Sequence, residues 1–83
     1  MISISNEELE RKLSTLDEVS FVKVDGDGYK YQVTVVSDTF ATKTKVARQQ
    51  WVYKQLGDYI TSGKVHALSM NTWTKEEWEK HNG

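Results

Sequence analysis

The chain contains no cysteine and no proline. Without cysteine there is no disulfide framework and no self-contained thiolate metal site. Without proline, no helix or strand is broken by one. Glycine is sparse at five residues, and its one close pair, Gly26 and Gly28, marks a turn rather than a linker. No apolar run approaches the ~20 residues that a membrane helix needs. The opening Met1-Ile2-Ser3-Ile4 is too short for a signal-peptide core and carries no early positive charge. The expectation is a soluble, cytoplasmic chain with no membrane partner. Neither sign of charge dominates: 11 Lys and Arg against 12 Asp and Glu leave a formal net charge of −1, so global charge predicts no polyanion partner. What remains is 83 residues, 37% hydrophobic and 28% charged, with no internal repeat. That composition predicts one small globular domain spanning residues 1–83, its core a single pair of layers.

The pattern of residues orders the elements. Ser5 followed by Glu8 is a capping box, and Leu9, Leu13 and Leu16 then form one apolar stripe, predicting a helix from about Asn6 to Leu16. Val19–Val24 and Tyr29–Val36 are β-rich runs joined by Asp25-Gly26-Asp27-Gly28, a strong hairpin signal. In the second run Tyr31, Val33 and Val35 alternate with Lys30, Gln32 and Thr34, which predicts one buried face. Ser37–Lys45 reads as a loop or short helical turn, and Val46 to about Thr61 as a helix closed by a left-handed Gly63. Lys64–Thr72 is a third strand. Thr74 and Glu77 form a second capping box that opens a last helix with Trp78 on its apolar side. The fold class is α+β in the order αββααβα, with a three-stranded sheet and helices packed on one face. If the second and third strands run parallel, a right-handed crossover joins them.

Catalytic constellations are missing from the sequence. His66 and His81 belong to no triad or nucleophile-elbow motif. The carboxylates of Glu7, Glu8, Glu10, Glu76, Glu77 and Glu79 sit on helix starts and tails, where they serve as solvated dipole partners. Asp25-Gly26-Asp27-Gly28 lacks the later carboxylates of a calcium loop, and Gly26 and Gly28 make no dinucleotide fingerprint. The expectation is a protein that is not an enzyme. His66, with no ligating neighbour, reads from spacing as a packed ring bonded to backbone. Between Thr39 and Gly57 lie Lys43, Lys45, Arg48 and Lys54 with no acidic residue, and Thr42 and Thr44 add hydroxyl donors. This segment suits a phosphate backbone, an acidic protein surface or an ordinary solvated face.

Three segments together go further. Phe40-x-x-Lys43-Thr44-Lys45-Val46-x-Arg48-Gln49-Gln50-x-Val52-Tyr53, then Lys64-Val65-His66-Ala67-Leu68-Ser69-Met70, then Thr74-x-x-Glu77-Trp78, resemble the BolA family, and its short IbaG-type (YrbA-like) branch most of all. The resemblance covers the chain from the first helix through Trp78. It implies a fold related to the type II KH domain and two functional themes. One is a heterodimer with a monothiol glutaredoxin that shares a [2Fe–2S] cluster with glutathione in iron handling. The other is nucleic-acid binding in stress and growth regulation, through Lys43, Thr44, Lys45 and Arg48. By resemblance His66 is the candidate cluster ligand. Lys30 stands where this branch often has a second histidine, and a protonated amine is a poor ligand. That leaves His66, with Asp25 or Asp27 as weak substitutes, and the thiolates come from the partner and glutathione. Thr42 stands where the family usually has glycine, and no Gly-x-x-Gly loop occurs.

Overall fold

The computed structural model describes residues 5–27, 30–63, 65 and 67–82. Helix α1 spans Asn6–Ser14, and the Ser5 hydroxyl accepts the Glu8 amide as the capping box requires. It stops before Leu16 because hydroxyls compete for its last carbonyls: Ser14 Oγ donates to the Glu10 carbonyl at 2.7 Å and Thr15 Oγ1 to that of Lys12 at 2.9 Å. Leu16 still packs on the core, from just beyond the helix.

Strands β1 (Val19–Gly26) and β2 (Lys30–Ser37) pair antiparallel, and β3 (Ala67–Trp73) adds to β2 in parallel, giving a mixed sheet in the order β1-β2-β3. The hairpin signal is realised around Asp27, whose Oδ1 accepts the Lys30 amide at 2.8 Å. Gly26 is required by close approach: a Cβ there would lie 2.8 Å from both the Lys30 carbonyl and a Tyr31 ring carbon. The expected alternation in β2 is present, with Tyr31, Val33 and Val35 all buried. The strand Lys64–Thr72 is observed as Ala67–Trp73, while Lys64 and His66 fall outside the described residues.

Ser37 caps a single 3-10 turn over Asp38–Thr42, placing the fully buried Phe40. The one helix expected from Val46 to Thr61 is instead two, α2 (Lys45–Gln55) and α3 (Gly57–Thr61). The break falls at Leu56, whose amide is shared between the carbonyls of Val52 and Tyr53 while its side chain is fully buried. Gly57, a weak helix former, follows it. Gly63 has φ +80°, the left-handed end expected from sequence. Helix α4 covers Lys75–Asn82.

The core lies on one face of the sheet. Leu9 and Leu13 of α1, and Val52 of α2 with Leu56 just beyond it, pack with Phe40 and Val65 against Val22, Val24, Tyr31, Val33 and Val35. Full burial of such side chains is worth ~1.5–3 kcal/mol each. Helix α4 departs from the expectation that all helices share this face. The β1–β2 register shifts between Val19 and Phe21, so Val22 pairs with Val35 on the core side while Phe21 pairs with Val36 on the other. Val36 is in turn the partner of Trp73. Trp78 of α4 stacks on Phe21 at 5.4 Å and lies 6.4 Å from Trp73, so α4 covers the face opposite the core.

Candidate partner-docking site

The basic segment begins where the 3-10 turn meets α2. Lys43 closes the turn, half-buried, its amide donating to the Phe40 carbonyl. Thr44 is the N-cap of α2: its Oγ1 accepts the Ala47 amide at 3.2 Å. That bond satisfies one of the orphan donors of a helix start and occupies the hydroxyl. Lys45 is exposed on the first turn. Of the four residues expected to bind a partner or nucleic acid, Lys43 and Lys45 keep their charge available, while Thr44 and Arg48 serve the fold.

Arg48 is the most engaged side chain of the region. Its Nε donates to the carbonyls of Phe40 at 3.0 Å and Lys43 at 3.2 Å, which fixes the turn to α2. One terminal nitrogen meets Glu77 Oε1 at 2.8 Å and the Thr72 carbonyl at 3.4 Å, and the other meets Glu77 Oε2 at 3.3 Å. The fork ties α2, the open edge of β3 and the start of α4 into one unit. Glu77 also completes the second capping box: Oε1 accepts the Thr74 amide at 3.0 Å, and the Glu77 amide donates to Thr74 Oγ1 at 3.2 Å. The hydrogen bond from Arg48, then the Thr74 amide, holds the Glu77 carboxyl below its ordinary range. The capping box was legible from Thr74-x-x-Glu77. Its arginine partner, 29 residues earlier, left no sequence signal.

The second face of the site is aromatic. Trp73 and His81 stack with ring centroids 4.6 Å apart, and Trp78 lies 5.9 Å from His81. From sequence His81 belongs to no motif. In the structure it belongs to a ring cluster with Trp73, Trp78 and, through Trp78, Phe21.

His66 lies outside the described residues. At the hairpin, Lys30 is exposed where the resemblance would place a second ligand, and Asp25 pairs loosely with Lys23 at 4.0 Å. Among the described residues no three His, Cys, Asp or Glu side chains gather into a metal-holding group. No helix among them is long and apolar enough to cross a membrane.

The sequence model of the family described as BolA-like protein matches residues 4–77. The acid stress protein IbaG of Escherichia coli strain K12 is 34% identical, over 93% of this chain and 92% of its own length. The DNA-binding transcriptional regulator BolA of Vibrio cholerae serotype O1 is also 34% identical, over 89% of this chain and 78% of its own. The structure of a BolA protein homologue from Coxiella burnetii superposes with a TM-score of 0.81 at 31% identity, covering 92% of this chain and 97% of that one. These relatives are named as a stress protein and a regulator, not as enzymes. The αββααβα order, the mixed three-stranded sheet and a match over most of the sequence agree: the chain belongs to the BolA family.

Proposed function

We propose that the chain is a non-enzymatic cytoplasmic adaptor that pairs with a monothiol glutaredoxin in the handling of a [2Fe–2S] cluster, His66 lending one ligand. The observation that carries this reading is the family match over residues 4–77, which includes the Val65-His66-Ala67 segment. The chemistry of the chain accords with a shared cargo. It has no cysteine, so the thiolates must come from the partner and its glutathione. An imidazole in place of a thiolate raises a cluster's reduction potential, which suits a group that is handed on. The exposed Lys45 and half-buried Lys43 offer positive charge to an acidic docking surface.

The test mixes the chain with a monothiol glutaredoxin, iron, sulfide and glutathione. A heterodimer with the visible absorption of a [2Fe–2S] cluster is expected, and His66→Ala is expected to change that spectrum while the circular dichroism of the free chain stays the same. An unchanged spectrum removes the ligand role. No heterodimer under any loading removes the proposal.

A nucleic-acid-binding regulator is the second reading, favoured by the similarity to the Vibrio cholerae DNA-binding transcriptional regulator. With Arg48 held by Glu77 and Thr44 by the helix start, Lys43 and Lys45 are the cations left to meet phosphate. Two such contacts predict a log–log salt slope of about −2 on duplex DNA, shallower by about 1 in Lys45→Ala. Binding that does not respond to salt would dismiss this reading.

A further inference from the structure

At the open edge of β3, the first turn of α2 and the first turn of α4 border a half-open cavity of about 280 Å³ lined by Lys45, Arg48, Asn71, Thr72, Trp73 and Glu77. Its charges are unequal in what they offer. Arg48 and Glu77 neutralise each other at 2.8 Å, and each is further committed to backbone groups. Lys45 and the Asn71 amide have no side-chain partner among the described residues. The cavity therefore presents one available cation and one amide. Trp73 is among the lining residues, and its ring is held by the stack with His81 at 4.6 Å.

We infer that this cavity binds a small organic monoanion, a carboxylate carried on a flat apolar body. The carboxylate pairs with the Lys45 ammonium and the Asn71 amide, and the body lies on Trp73. Charge limits the ligand to one negative group. Glu77 at the wall is already paired with Arg48, and Glu76 on the outer side of α4 with Lys80 at 3.1 Å. A second negative charge would find no unpaired cation at the wall besides Lys45, so its desolvation would go uncompensated. Size sets the same limit, since about 280 Å³ lies near the lower end of small-molecule sites and admits one ring and its acid. The inference uses neither His66 nor a glutaredoxin, so failure of the adaptor reading leaves it standing.

The test is a titration of the isotopically labelled full chain, followed by magnetic resonance at the Trp73 indole N–H and the Asn71 side-chain amide. N-acetyl-phenylalanine is the probe, with its neutral carboxamide and a short peptide ending in phenylalanine with a free carboxylate beside it. The acid is expected to shift both signals saturably, with a Kd on the order of 1 mM for a ligand of this size. Loss of the charge, in the carboxamide or in Lys45→Gln, is expected to weaken binding on the order of tenfold. Lys45 is exposed, so its replacement leaves the fold intact to be checked by the rest of the spectrum. A peptide that binds more tightly than the free acid assigns the site to a chain terminus, and equal affinities assign it to a free acid; both support the carboxylate site. Equal binding of acid and carboxamide overturns it, as do shifts confined to other residues. A short single-stranded oligonucleotide that moves the same signals at lower concentration also overturns it, in favour of a strand.

Discussion

Phe40→Ala is expected to leave a chain only marginally folded at 25 °C. Phe40 is fully buried, meets Trp51 edge-on at 5.5 Å, and has the Arg48 guanidinium 5.9 Å from its ring centre. Truncating a buried Phe to Ala costs about 3–5 kcal/mol, because the cavity it leaves collapses only in part. A domain of 83 residues has about 4–12 kcal/mol in total, and small domains sit at the lower end. The backbone of Phe40 raises the stakes further, since its carbonyl accepts both Lys43 N and Arg48 Nε. Losing the ring loosens the turn that holds the basic segment against α2. Urea unfolding followed by circular dichroism reads the outcome. A variant that retains a cooperative transition within about 1 kcal/mol of the parent would show that the turn is not anchored through this ring.

The elements that sequence reveals are those written locally. Both capping boxes, the alternation of Tyr31, Val33 and Val35, and the left-handed Gly63 each depend on residues within a few positions of one another. The element order follows from them, and with the three quoted segments so does the family. What escapes local reading depends on competition or on distance. Ser14 and Thr15 end α1 by bonding backward, an outcome that the stripe continuing to Leu16 concealed. The shift between Val19 and Phe21 turns one aromatic to the far face, and α4 follows it there through Trp78. In the site, the positive segment was visible as charge but its division of labour was not. Arg48 and Lys45 are three positions apart on one helix, yet one is bonded to carbonyls and a carboxylate and the other is exposed, its charge unpaired among the described residues. Only the meeting of α2 with α4, remote in sequence, decides which cation a partner can use.

The Arg48–Glu77 pair should make that division measurable. Arg48→Met is expected to cost about 2–3 kcal/mol and to lower Tm by about 10–20 °C. The Arg48 side chain is 14% exposed and its loss strips hydrogen bonds from the carbonyls of Phe40, Lys43 and Thr72 as well as from Glu77. Glu77→Gln is expected to cost less, about 1 kcal/mol, because the Glu77 side chain is 43% exposed and an amide oxygen can still accept the Thr74 amide. Acid separates charge from packing. Glu77 is lowered in the folded chain by the Arg48 hydrogen bond first and the Thr74 amide second. A carboxyl lowered on folding adds stability that is complete above its unfolded value, about 4.3, and is lost as pH falls through the folded value. Near neutral pH the parent should therefore exceed Glu77→Gln in stability, and the two should converge in acid, where a protonated Glu77 resembles the amide. Curves that stay parallel through that range would mean that Arg48 holds α4 by its shape and hydrogen bonds alone, with no contribution from the carboxylate's charge.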